Sequence, residues 1–383
     1  MPGFMEEYSS RPRGTLVLSA ALAGLALALP LSLAAFYRST FRNLRKTDED
    51  GFLYSVEYTG NYKSKLISFM PGLVRGSGCA NFRTFGKNGD VLTGRNYDIP
   101  HLDKKGNPTG LNVAVRLKSR GRYDSINFAD AAWFSYIGLP YFKGALDRGK
   151  CVRFPLAFLP WLCMDGMNEK GLTVSILFVD VRGGERPVFQ NEPGKDHLII
   201  SQMLRMLLDS CADVSEAEEM AKSVNLVNMK GNDYHLFLSD AKGVSAVFEW
   251  RYNNFTVTYT DAVTNFYAGY GDAADCWYGD RLKEAFAPPE KLRRPYRYGY
   301  GHGYERFGKI AKALDSRMTD SATLRTEMSV GEAMDILKSV YQQYDPDSLT
   351  SLTQYSCVYN STRLTADVCV AGDYGRVYSF SFK

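Results

Sequence analysis

The feature that most restricts the fold is the run "CANFRTFGKNGDVLTGRNYD", Cys79–Asp98. Two strand-like stretches flank Lys87-Asn88-Gly89-Asp90. Asn-Gly between such stretches is a strong hairpin signal, because the tightest hairpin turn needs positive φ at both central positions. With Asn88 and Gly89 as that central pair, Cys79 falls opposite Asp98. Direct cross-strand partners hold their Cβ atoms roughly 4.5–5.5 Å apart, so local pairing alone would deliver a carboxylate to this cysteine. Asn96 shares that face. Arg95, by strict alternation, points the other way, and reaches the sulfur only if the second strand bulges between Gly94 and Asp98.

The rest of the chain alternates between hairpins and helices. "GLTVSILFVD" (Gly171–Asp180) reads as a buried strand introduced by the turn "DGMNEK". His197–Asp209 has helical periodicity, and a second helix starts near Ser215. "YHLFLSD" and "SAVFEW" form a hairpin around "AKG", and "NNFTVTYTDAVTNF" reads as one further strand ending at Asn265. "ERFGKIAKALDS" is helical, and Ser329 with Glu332 fits a capping box that opens another helix. "TQYSCVYN", "LTADVCVAG" and "RVYSFSF" read as three closing strands. This order predicts sheets packed on one another with helices outside, an α+β fold.

Composition limits the chemistry. Apolar residues make up 45% of the chain and aromatics 13%, enough for a large core, and a net charge of +4 is too small to indicate nucleic acid. There is no P-loop, no G-x-G-x-x-G, no H-E-x-x-H and no zinc-spaced cysteine pair, so no metal or organic cofactor is expected. The seven cysteines are compatible with one reactive thiol plus three disulfides or with seven buried thiols. Only His101, His197, His235 and His302 could act as a histidine base. His101 follows Pro100, outside the hairpin register, which argues against a Cys–His protease.

Thr15–Phe36 carries no charge, and at about 1.5 Å per residue it is long enough to cross a bilayer core. Residues 1–36 are therefore expected to be a signal peptide or a membrane anchor, which makes a membrane-anchored or secreted protein the expectation. Arg38, Arg42, Arg45 and Lys46 follow the span, a flank that the positive-inside rule keeps cytoplasmic. Residues 37–78 mix charge, Gly and Ser with weak periodicity and read as a linker or propeptide. Residues 79–383 form the folded domain.

A cysteine needs a base or a lowered pKa to attack a carbonyl. Arg95 favours the thiolate, whereas Asp98 opposes it unless it holds something else. An α-amino group fits that need. If the chain is cut between Gly78 and Cys79, Cys79 gains an amine whose reference pKa of roughly 7.7–8.0 suits a general base.

The same residues carry a resemblance. "CANFRTFGKNGDVLTGRNYD" resembles the start of mature choloylglycine hydrolase family proteins, the conjugated bile acid hydrolases and penicillin V acylases. "MNEKGLTVSILF", "DAVTNF", "GYERFGKI" and "QYSCVYNSTRLTADVCV" are similar to later family segments, in order. The resemblance implies a four-layer αββα N-terminal nucleophile hydrolase fold, preceded here by the hydrophobic helix, that cleaves linear C–N amide bonds. It implies Cys79 as nucleophile, Arg95 and Arg306 as a charge network, Asp98 as the holder of the α-amine, and Asn265 with the backbone N–H near Phe178 as the oxyanion site. The expected partner is a small N-acyl amide, with the membrane engaged through residues 15–36 and homo-oligomerisation left open. A catalytically inactive, membrane-tethered binding protein and an N-acyl homoserine lactone acylase or acyltransferase are the alternatives.

Overall fold

The computed structural model describes residues 41–60, 62, 78–118, 120–148, 150–179, 188–228, 233–268, 300–320, 325–344 and 351–382. The span 15–36 lies outside the described residues, and no helix among the described residues is long and apolar enough to cross a membrane. Two sheets dominate. The larger runs β1 (Arg45–Lys46), β2 (Leu53–Tyr58), β5 (Asn112–Leu117), β6 (Ser125–Asp130), β7 (Cys163–Asn168), β8 (Thr173–Val179), β11 (Asp233–Ser239), β12 (Ser245–Glu249) and β13 (Thr256–Tyr259). The smaller runs β14 (Ala262–Val263), β3 (Gly78–Phe85), β4 (Val91–Asp98), β17 (Thr353–Asn360), β18 (Thr365–Val370) and β19 (Tyr378–Ser381). Two short ladders, β9 (His197–Leu198) with β10 (Asn225–Leu226) and β15 (Met318–Asp320) with β16 (Arg325–Thr326), sit outside them. Within the two large sheets pairing is antiparallel except between β2 and β5.

Three cores separate the layers. Helices α1 (Ile200–Ser210) and α2 (Val214–Lys222) bury Leu204, Leu207, Leu208 and Ala217 against the larger sheet. The facing sheets share a core of Tyr97, Phe128, Leu177, Phe237 and Tyr355. Helices α3 (Tyr300–Asp315) and α4 (Val330–Ser339) bury Phe307, Ile310, Ile336 and Leu337 against the smaller sheet. The Ser329–Glu332 capping box is present at the start of α4. Asn168, at the end of β7, caps α1 from a distance. Its amide donates to the Leu208 and Cys211 carbonyls while its oxygen accepts the Lys170 and Leu172 N–H groups.

Two local expectations change. The stretch read as one strand ending at Asn265 is two strands, β13 in the larger sheet and β14 in the smaller. The chain crosses between sheets at Thr260-Asp261, where the Asp261 carbonyl accepts the Arg83 N–H at 2.7 Å and its carboxylate pairs with the Arg83 guanidinium. The segment read as a linker contributes β1 and β2 to the larger sheet. Its alternation of Leu53, Tyr54, Val56 and Tyr58 with polar residues is too short to stand out, yet these four side chains are buried.

Candidate active site

The hairpin forms, with a register one residue away from the expected one. Gly86 pairs with Asp90 (N–H to O 2.6 Å), Gly89 N–H returns to the Gly86 carbonyl at 2.9 Å, and Gly89 takes φ +77°. Lys87-Asn88-Gly89 is thus a three-residue loop closed by a left-handed glycine, a common alternative to the two-residue Asn-Gly turn. Gly78 now faces Asp98, Cys79 faces Tyr97, and Asn81 faces Arg95.

A one-residue slip moves every side chain to the other face. Cys79, Asn81, Arg95 and Tyr97 therefore share the face toward the larger sheet, and Arg95 needs no bulge in β4 to join Cys79. Asp98 and Asn96 point toward the helices, and the Asn96 amide reaches the Leu337 carbonyl of α4 at 2.9 Å. The expectation that Asp98 lies opposite Cys79 on the same face is corrected accordingly. The bulge in this region sits on the facing strand, where Gln354 is the extra residue between Thr353, opposite Asp98, and Tyr355, opposite Tyr97.

Arg95 is fully buried. Its guanidinium donates to Asp165 Oδ2 (3.1 Å), Asn81 Oδ1 (3.0 Å) and the Ile176 carbonyl (2.7 Å). Asp165, also fully buried, accepts the Tyr355 and Tyr359 hydroxyls at 2.6 and 2.5 Å. Burial pushes the Asp165 carboxyl up, and Arg95 with the two hydroxyls pulls it back. Sequence reasoning placed Asp165 in a turn. Its position at the centre of a buried strand is set by the larger sheet's pairing with β6 and β8.

On the helix side, Arg306 binds three elements at once. Its guanidinium donates to the Cys79 carbonyl (2.9 Å), to Asp98 Oδ2 (3.1 Å) and to Asn265 Oδ1 (2.6 Å). Asp98 also accepts Thr353 Oγ1 at 2.7 Å and the Gln342 amide. Burial pushes the Asp98 carboxyl up, opposed by Arg306, Thr353 and Gln342. Asn265 Oδ1 accepts the backbone N–H of Cys79 at 2.8 Å, and its Nδ2 donates to the Phe178 carbonyl at 2.7 Å. Two donors on one side and a carbonyl on the other fix which amide atom is oxygen. In this uncut chain Asn265 therefore holds the nitrogen of the Gly78–Cys79 bond, and Phe178 meets it through its carbonyl.

The Cys79 thiol is buried, and that burial pushes its pKa above the usual range. Arg95, a backbone hydrogen bond from Asp98, and Arg306 act in the opposite direction, while the Asp98 carboxylate adds to the rise. Cys79, Arg95, Asp98, Asn265 and Arg306 thus converge, with Asp98 and Arg306 approaching from the helix layer and Arg95 from between the sheets.

A further buried pair supports this arrangement. His235 and Glu249 are fully buried on neighbouring strands, with His235 Nδ1 and Glu249 Oε1 3.0 Å apart. His235 Nε2 donates to the Thr264 carbonyl at 2.9 Å, Glu249 accepts the Ala268 N–H at 2.7 Å, and Thr264 Oγ1 donates to the Gly303 carbonyl of α3 at 2.6 Å. Asn265 is thereby pinned from both sides and coupled to the helix that carries Arg306. Nothing local in the sequence singles out this pair. His101 is engaged elsewhere: its Nε2 lies 2.6 Å from Asp130 Oδ2, which also accepts the Tyr97 hydroxyl at 2.7 Å.

Among the described residues, Cys79, Cys163, Cys211, Cys357 and Cys369 are free and buried, and no cluster of metal-ligating side chains is found. Between β6 and β7 the rings of Trp133, Phe134, Tyr141 and Trp161 are core, whereas Phe158 is exposed.

Residues 79–265 match the family model described as linear amide C-N hydrolases, choloylglycine hydrolase family. A search of curated proteins found no match. Among solved structures, an arginine-to-leucine variant of conjugated bile acid hydrolase from Clostridium perfringens aligns with TM-score 0.53 and 18% identity, over 79% of this chain and 92% of that one. A cysteine-to-alanine mutant of the same hydrolase aligns with TM-score 0.53 and 17% identity over the same shares. Penicillin V acylase from Agrobacterium tumefaciens aligns with TM-score 0.50 and 18% identity, over 79% of this chain and 86% of that one. The sheet-rich α+β fold described above is similar to that of these solved hydrolases.

Proposed function

We propose, from the family match over residues 79–265 and the groups gathered on Cys79, that this chain is a cysteine N-terminal nucleophile amidohydrolase of αββα architecture acting on linear C–N amides. The carrying observation is the hold on the Cys79 backbone: Asn265 takes its N–H and Arg306 its carbonyl. A chain that used Cys79 only for packing would have no need to fix both peptide groups around it with buried charge.

Maturation comes first. The Cys79 sulfur attacks the Gly78 carbonyl, the peptide nitrogen leaves with a proton as the α-amine, and water hydrolyses the thioester to free Gly78 as a carboxylate. The bond lies within β3, paired on one side to β4, and is buried, so cleavage from within the fold is favoured over attack by another protease. Before the cut, burial keeps the thiol protonated. After it, the new amine accepts the thiol proton, and Arg95 stabilises the resulting thiolate.

Turnover repeats the chemistry on the substrate. The thiolate adds to the amide carbonyl, the amine takes up and then returns the proton to the leaving amine, and water releases the acyl group from the thioester. Cleavage frees Asn265 from the peptide N–H, so its side chain can turn from Phe178 toward the oxyanion. Asp98, with Arg306 beside it, balances the charge of the ammonium.

Two parallel measurements test the reading: N-terminal sequencing of purified active protein, and hydrolysis of glycine- and taurine-conjugated bile salts, penicillin V and N-acyl homoserine lactones. The expected result is an N-terminus at Cys79 with turnover of at least one of these. A fully active chain that retains the Gly78–Cys79 bond refutes the mechanism, because the base would then be a peptide nitrogen.

A further inference from the structure

The segment before the nucleophile is built into the larger sheet. β2 pairs in parallel with β5 at six consecutive positions, from Leu53 opposite Asn112 to Tyr58 opposite Leu117. Phe41, Tyr54, Val56, Tyr58 and Tyr62 enter the core under α1, and Leu53 enters the core between the sheets. Three of these attachments are polar and buried or partly so. The Tyr62 hydroxyl donates to Asp209 Oδ1 at 2.7 Å, the Tyr58 hydroxyl donates to the Ala157 carbonyl at 3.0 Å, and the Arg122 guanidinium lies 4.5 Å from the Tyr62 ring centroid.

Losing the segment would leave the backbone N–H and C=O groups of β5 as an open, apolar sheet edge, a recognised aggregation hazard. No cysteine precedes Cys79, so nothing can hold the segment by a disulfide. We propose that cleavage at Gly78–Cys79 yields a two-chain enzyme, in which the upstream chain stays docked by β2 on β5 as a non-covalent subunit. This rests on the cleavage proposed above. The partner that fits this edge is the chain's own N-terminal fragment, and it carries residues 15–36. An anchor there would hold the catalytic chain at the membrane with no peptide bond between them.

The test has two arms. In the first, the wild-type protein is purified by a C-terminal tag and run on a native sizing column and then in denaturant. The expected result is one native peak that resolves into two chains in denaturant, with or without reductant. In the second, a recognition site for a sequence-specific protease is inserted between Tyr62 and Gly78 of the Cys79→Ala protein, which cannot cut itself, and the purified protein is nicked. The two pieces should co-elute in buffer and separate in denaturant. Val56→Asp in the nicked protein should release the upstream piece.

The proposal is overturned if the nicked pieces separate in buffer while the larger one stays monodisperse with an unchanged circular dichroism spectrum. It is also overturned if the active wild-type enzyme is a single chain beginning at Cys79. An active wild-type chain that is uncut refutes the cleavage reading and the two-chain product together, while the nicked arm still decides whether the segment docks.

Discussion

Gly78→Ala is a small change with a computable consequence. Gly78 lies in an ordinary strand conformation, so a side chain there meets no backbone strain. The difficulty is space: a Cβ at this position would come within 2.5 Å of Gln342 Nε2 and 3.3 Å of Arg306 Nη2. Gln342 is the end of a flexible side chain, but its amide is tied to the Asp98 carboxylate. Making room costs that charge-assisted hydrogen bond, about 1.5–3 kcal/mol. Alanine gives back about 0.4–1 kcal/mol by restricting the unfolded chain. The net loss is therefore about 0.5–2.5 kcal/mol.

Urea unfolding in a Cys79→Ala background, where no cleavage intrudes, reads this number as a lower midpoint at unchanged slope. Gln342→Ala should cost a similar amount by itself, and Gly78→Ala should then cost nothing further and give back up to about 0.4–1 kcal/mol, because the shortened side chain leaves room for the methyl. In the Cys79 background the same change should slow the appearance of the Cys79 N-terminus, since the methyl also crowds Arg306. A Gly78→Ala protein that is as stable as its parent and shows no coupling to Gln342 refutes the reasoning.

Other perturbations separate the parts of the site. Arg95→Met strands Asp165 in the core and should lower stability by about 3–5 kcal/mol by urea unfolding, besides abolishing turnover. Cys79→Ala should remain uncut and inactive by mass spectrometry and amide hydrolysis, and Cys79→Ser should hydrolyse amides poorly. Because burial raises the Cys79 thiol above its ordinary 9.0, the uncut fold binds that proton more tightly than the unfolded chain does. Its stability should thus fall as pH rises past about 9, and Cys79→Ala should flatten that fall in urea titrations across pH. His235→Gln keeps a donor for the Thr264 carbonyl and should retain most activity. His235→Leu removes that donor and should lower kcat more than it raises KM.

Much of this fold was legible because the signals were local. The Ser329–Glu332 cap, the β11–β12 hairpin and the three closing strands each depend on a few neighbouring residues, and all appear where expected. Asp165, His235 and Glu249 were not legible. Each is a polar residue in a short strand whose meaning comes from partners far along the chain: Arg95 is 70 residues from Asp165, and Thr264 is 29 from His235. The β2 strand was missed for the same reason, since its partner β5 follows only after the hairpin that carries the nucleophile.

The hairpin register shows how much can rest on one residue. A two-residue Asn-Gly turn would set Asp98 beside the Cys79 side chain and turn Arg95 away from it. The three-residue loop closed by Gly89 reverses both assignments, and the reversal suits the chemistry better. An acid facing the sulfur would oppose the thiolate, whereas in the observed register the sulfur shares its face with Arg95, and Asp98 lies behind the strand with Arg306. The two charges that a nucleophile with its own amine requires are thus placed on opposite faces of one strand, a cation on the face of the thiol and an anion on the other. Deleting Asn88 leaves Gly86 opposite Asp90 across a two-residue Lys87-Gly89 connection, so Cys79 stays opposite Tyr97 and Arg95 stays on the face of the thiol. That protein should keep thiol reactivity and cleavage at Gly78 if it folds. Loss of both in a folded deletion, read by thiol alkylation and N-terminal sequencing, would show that the loop itself, and not the register, governs the site.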